Sequence, residues 1–119
     1  FRGVSTNGTS NLLIQLGSGS FTTTGYTSSA WTNAATTATN GFLITQSLTA
    51  ATGQSGAVTI TNITSNTWSA FGVLAFSNAS LGNASGGSVS LSGTLDRVRI
   101  TTVAGTDTFD AGTINIMYE

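Results

Sequence analysis

An antiparallel β-sandwich of the jelly-roll kind, with about eight or nine strands, is the fold this sequence predicts. Three observations carry the prediction. Apolar residues alternate with polar ones in short runs; Gly, Asn and Ser break the chain about every 8 to 12 residues; and no stretch keeps the i, i+3, i+4, i+7 spacing of an amphipathic helix. At 119 residues the chain has the length of one domain, residues 1–119, large enough to bury a proper core.

Taken in order, FRGVS opens the chain as a short strand, and NLLIQLG sets Leu12, Ile14 and Leu16 against Leu13 and Gln15. SFTTTGYT follows. GFLIT comes after Asn40-Gly41, a pair that favours a tight hairpin turn. GAVTITNI places Val58 and Ile60 on one face and Thr59 and Thr61 on the other. In WSAFGVLAF both faces are apolar: Trp68, Ala70, Leu74 and Phe76 share one, and Phe71, Val73 and Ala75 share the other. A loop, a sheet edge or another subunit must cover the second face, so Phe71 and Val73 are candidate subunit contacts. GSVSLSG, LDRVRITTV and TINIMY complete the expected set, with Val98 and Ile100 facing one way and Arg97, Arg99 and Thr101 the other.

Composition narrows the function. Ser and Thr supply 39 residues and Gly another 15, yet mean hydropathy is slightly positive. This combination argues against disorder and for strands. Such a surface, rich in hydroxyls and poor in charge, suits an extracellular or particle-borne protein. Cys and His are absent, which removes disulfides, thiolate metal sites, the usual zinc ligand sets and the His-dependent nucleophile arrangements. Lys is also absent and the net charge is -1, so there is no cationic footprint for nucleic acid. No apolar run reaches the length of about 20 residues that inserts as a membrane helix, and the N-terminal segment lacks the apolar centre of a signal peptide. The chain starts with Phe, as expected of a processed product or a piece of something longer. Four N-x-S/T sequons, at Asn7, Asn62, Asn78 and Asn83, are about what this composition produces by chance.

Six of the seven charged side chains lie between Leu95 and Glu119: Asp96, Arg97, Arg99, Asp107, Asp110 and Glu119. A glycoside hydrolase would need two carboxylates flanking a groove together with supporting acid-base partners. Asp107 and Asp110 read instead as a turn aspartate and a strand aspartate, and the chain reads as a non-enzyme. A calcium site wants six or more oxygens, against two acids here, and no cofactor is expected. A turn at residues 103 to 106 would set Arg99 opposite Asp110 in a terminal hairpin. Arg97, Arg99 and Asp110 then form a register or assembly device, the alternative being that the two arginines hold an anionic glycan. For a neutral glycan, Tyr26, Trp31 and Asn33 in GYTSSAWTN offer the best stacking platform. A core position is the competing and preferred explanation of Trp31, and more strongly of Trp68.

The last stretch, SGTLDRVRITTVAGTDTFDAGTINIMYE, resembles the final two strands of small jelly-roll domains that end tailed-bacteriophage virion proteins, especially tail fibres and related appendages. The matching pieces are L-x-R-V-R-I at Leu95 to Ile100, Gly-Thr-Asp at Gly105 to Asp107, and F-x-A-G-T-I-x-I at Phe109 to Ile116. Over the rest of the chain only the strand pattern agrees. The resemblance implies a C-terminal β-sandwich on the virion surface, assembling as a homotrimer beside other virion proteins and used for host attachment through a receptor or cell-surface glycan. A capsid decoration or head-fibre protein fits the same resemblance. A carbohydrate-binding module of a secreted protein is the alternative from another class.

Overall fold

A computed structural model of the chain describes residues 1–78 and 81–119. Among them there are eleven strands and no α-helix: β1 (Arg2–Thr6), β2 (Leu12–Ser18), β3 (Ser20–Phe21), β4 (Thr27–Trp31), β5 (Ala35–Ala38), β6 (Phe42–Leu43), β7 (Gln54–Thr64), β8 (Thr67–Phe76), β9 (Gly82–Ser90), β10 (Arg97–Thr102) and β11 (Phe109–Thr113). All pairings are antiparallel. A seven-stranded sheet runs β11-β1-β7-β8-β9-β4-β5, and a four-stranded sheet is built around β2. The expected β-sandwich is therefore the fold. The strand count exceeds the expectation through the β4–β5 hairpin, while the expected SFTTTGYT and GFLIT strands shrink to the two-residue β3 and β6.

Strand β2 organises the small sheet. One of its edges carries β10 along Leu12 to Gly17; the other is shared by β6 at Leu13 and Ile14 and by β3 at Gly17 and Ser18. Both faces of β2 are buried, as its near-continuous apolar run requires. Leu12, Ile14 and Leu16 enter the main core with Phe42, Ile44, Ala70, Leu74 and Val89, against which Trp68 and Ile100 also pack. Leu13 meets Leu43, Ala30 and Ala38 in a smaller cluster. Tyr26 belongs to the main core. Its ring meets Phe42 edge to face at 5.0 Å, and its hydroxyl accepts the Leu16 amide proton at 2.8 Å.

The β7–β8–β9 meander forms the centre of the large sheet. Ser65 and Asn66 make its first turn, with Ser65 in the left-handed region at φ 46°, and Asn62 Nδ2 donates to the Ser65 and Thr67 carbonyls. Asn40-Gly41 behaves differently from the expectation. It joins β5 of the large sheet to β6 of the small one, so it is a crossover between layers rather than a hairpin turn. It is fixed there by Gln15 Nε2, which donates to the Asn40 carbonyl at 2.6 Å.

The terminal hairpin is also replaced by something else. Strand β10 pairs with β2 in the small sheet, and β11 pairs with β1 in the large one. The two connections, 7–11 and 103–108, cross between the layers side by side. The Asn7 amide donates to the Thr108 carbonyl at 3.1 Å and the Thr108 amide to Asn7 Oδ1 at 2.9 Å. Ser10 adds its amide to Asp107 Oδ2 at 2.8 Å and accepts from the Ala104 amide at 2.9 Å. The last strand ends at Thr113, earlier than TINIMY suggested, because β1 offers no residue beyond Arg2 and Phe1 to pair with residues 114–119.

Gly112 tests this corner. Its φ is +89°, and a Cβ there would lie 2.5 Å from the Gly3 carbonyl group. Gly112→Ala is expected to cost about 2–4 kcal/mol in urea unfolding, combining left-handed strain with a backbone clash. Gly105→Ala, at φ +71° with open space around it, is expected to cost only about 1–2 kcal/mol. Equal losses would mean that the β1–β11 contact is looser than described.

Candidate functional site: an uncharged sheet face

The meander and the β4–β5 hairpin present their odd-numbered or register-matched residues to the outside. In β8 the inward set is Ala70, Gly72 and Leu74, all buried, while Phe71 and Val73 are 60% and 64% exposed. Pairing register extends the outward set into rows. Ala57, Val73, Ala84, Trp31 and Ala35 lie directly opposite one another across five strands. The next row holds Thr59, Phe71, Gly86, Ser29 and Thr37. No Asp, Glu, Lys or Arg occurs in any of these five strands.

This face has relief as well as apolarity. Phe71 stands up directly opposite Gly86, and beside it lies a hollow of about 200 Å³ lined by Thr27, Ser29, Thr37, Gly86 and Gly87. A Cβ on Gly86 would find its nearest heavy atom 3.7 Å away, so glycine is not required there by the fold itself. A projecting aromatic and a hollow of ring size thus sit side by side.

The proposed glycan platform is not a single site. Tyr26 is buried in the core, held by its hydroxyl to Leu16, and burial pushes its phenol pKa up against the lowering effects of that bond and of the Arg99 charge. Trp31 is 46% exposed on the outer face, so the core explanation of it fails too. Tyr26 directly precedes β4, and the inward-outward alternation that begins with it, buried at 26, 28 and 30 and open at 27, 29 and 31, carries Trp31 to the opposite side. Asn33 goes elsewhere again. It lines a cleft of about 280 Å³ with Thr32, Ser47, Thr49, Thr52 and Phe76.

The charged residues all lie outside the five strands of that face. Arg99 does not meet Asp110, because their strands belong to different sheets. Instead Arg99 donates through Nε at 3.0 Å, and through Nη2, to Gln15 Oε1, and stacks its guanidinium 4.3 Å from the Phe21 ring centre. Arg97, on the same face, lies 6.0 Å from that ring and pairs with its neighbour Asp96 through bonds of 2.7 and 3.1 Å. Asp110 Oδ1 accepts from the Ser5 hydroxyl, and Asp107 holds Ser10. Every aspartate is therefore engaged by a structural partner, and among the described residues no three His, Cys, Asp or Glu side chains come together.

Hydrogen bonding to Arg97, with help from the Gly19 amide at 2.9 Å, holds the Asp96 carboxyl below the usual carboxylate range; the same contact raises Arg97. A depressed folded value means that the stabilisation is present above the ordinary carboxylate pKa and is lost as pH falls through the folded value. The pair is exposed to water, so its contribution is small.

Comparison with protein families, with curated proteins and with solved structures finds no match to this chain.

Two outcomes check this charge arrangement. In double-mutant cycles, Arg99→Ala and Asp110→Ala are expected to be additive within about 0.5 kcal/mol, while Arg99→Ala and Gln15→Ala couple. Coupling of the first pair would put the two side chains in contact after all. In an NMR titration, Arg97→Gln is expected to raise the Asp96 midpoint toward the ordinary carboxylate value; no change would remove Arg97 as the cause.

Proposed function

We propose that this domain is a non-enzymatic structural unit that self-associates through the outer face of its large sheet. The observation that carries the reading is the uncharged five-strand surface on which Phe71, Val73 and Trp31 are exposed. An exposed apolar patch of this kind marks a contact surface, and the centres of interfaces are depleted in charge and enriched in aromatics.

The adjoining knob and hollow favour a heterologous contact, in which Phe71 of one copy enters the Gly86–Gly87 hollow of the next. Such contacts form a ring when the rotation between copies closes and a filament when it does not; a homotrimeric ring is the closure we propose. The setting follows from the likeness of the C-terminal stretch to the ends of tailed-bacteriophage virion proteins: an appendage such as a tail fibre, on the particle surface, next to other virion proteins. Host attachment through a receptor or cell-surface glycan belongs to the same proposal. A second reading, a carbohydrate-binding module working as a monomer, draws on the half-exposed Trp31 and the hydroxyl-lined cleft at Asn33.

Native mass spectrometry and light scattering separate them. The wild-type chain is expected to be a trimer at micromolar concentration. Phe71→Ser and Gly86→Gln are expected to give folded monomers, since Phe71 is exposed and Gly86 has room for a side chain, with unfolding midpoints that no longer depend on protein concentration. A wild-type monomer contradicts the assembly reading and favours the binding module.

A further inference from the structure

We infer that the cleft at Asn33 binds a neutral, polyhydroxylated ligand the size of one sugar ring. The inference rests on the glycan part of the preceding reading and not on self-association. Thr32 and Asn33 come from the β4–β5 turn, Ser47, Thr49 and Thr52 from the β6–β7 connection, and Phe76 from the end of β8. At about 280 Å³ the cleft lies near the low end of ligand pockets, which run from about 300 to 1,000 Å³.

Its chemistry selects the ligand class. No charged side chain lines it, so a phosphate, carboxylate or ammonium group entering it would lose water without gaining a counter-charge. Hydroxyls and amides each donate and accept, which is what adjacent sugar hydroxyls require. Phe76 supplies the apolar surface that a sugar's C–H face needs.

Buried polar groups next to the lining residues support the same ligand class. Asn83 is 1% exposed; its Oδ1 accepts from the Thr32 hydroxyl at 2.9 Å and from the Gln46 amide at 2.7 Å, while its Nδ2 finds no partner among the described residues. Gln46 Oε1 and Gln54 Oε1 are also buried without partners. Gln46 precedes Ser47 of the cleft, and Gln54 donates to the carbonyl of Thr52, another lining residue. Orphaned buried polar atoms cost about 1–3 kcal/mol each. Each is tied to the lining by a hydrogen bond or by the chain itself, so ordered water reaching inward from the cleft would complete their bonding and link them to an occupant.

The wall is also preformed. Ser47 and Ala51 both hold left-handed φ, at 57° and 60°, in a segment tied by the Thr49–Thr52 hydroxyl contact and by Asn78 Nδ2 to Thr52 Oγ1 at 2.9 Å. Little ordering is left to oppose binding.

The test is a 15N-edited NMR titration of the intact chain with glucose, galactose, mannose and N-acetylglucosamine, with glycerol as the control. At least one sugar is expected to shift the Thr32, Asn33 and Asn78 amides saturably, together with the Asn83 side-chain amide. Asn33→Ala, at an exposed position, is expected to weaken that binding about 5- to 10-fold, the effect of one lost hydrogen bond, without moving the unfolding midpoint. Saturable shifts confined to Trp31 and the outer face overturn the cleft assignment and leave the glycan reading intact. Absence of saturable shifts with every sugar overturns both. Equal shifts with glycerol at the same molarity mean an adventitious additive only, and overturn it as well.

Discussion

The pairing of the chain's two ends in both layers is the constraint on which the rest of the structure depends. β1 with β11 and β2 with β10 form two antiparallel pairs, one in each sheet, and their connections turn the corner together through Asn7, Ser10, Asp107 and Thr108. These contacts span about the whole length of the chain, so their loop-closure entropy must be repaid by burial. β2 repays it, since its leucines and isoleucine fill the core on both sides.

That constraint also distributes charge. Six of the seven charged side chains fall in the last quarter of the sequence, and the last quarter folds against β1 and β2. Arg97 and Arg99 cover Phe21 on the small sheet, and Asp110 answers Ser5 at the β1–β11 edge. The centre of the large sheet, from β7 across to β5, is left without a charge. A water-facing sheet ordinarily shows polar residues on its outer side; here Phe71, Val73 and Trp31 stand exposed among hydroxyl residues such as Thr59, Ser29 and Thr37. An uncharged outer face, and aspartates and arginines engaged at the small sheet and the β1–β11 edge, are two consequences of one topology.

Strand parity made much of this legible in the sequence. Alternation in WSAFGVLAF sorted Phe71 and Val73 from Leu74 and Ala70, and alternation in NLLIQLG separated Leu12, Ile14 and Leu16 of the main core from Leu13 of the smaller cluster. Parity could also have separated Tyr26 from Trp31, had TSSAW been read as a strand; its serines and alanine gave too weak a β signal. Pairing partners were not legible. Arg99 and Asp110 look like neighbours across a turn until it is known that β10 and β11 belong to different sheets, and Asn40-Gly41 looks like a hairpin turn until β5 and β6 are known to do the same. The cleft was invisible for a related reason. Its walls come from segments far apart in the chain, residues 32–33, 47–52, 76–78 and 81, that only the fold brings together.

Solvent paramagnetic relaxation of side-chain methyls tests the central claim, burial of the outer face by a second copy, most directly. Val73 and Met117 are 64% and 88% exposed in the single chain, so Met117 serves as the internal reference. At assembling concentrations the account predicts that a soluble paramagnetic agent strongly relaxes the Met117 methyl and spares the Val73 methyls. Relaxation of Val73 as strong as that of Met117, at the same concentration, would contradict it.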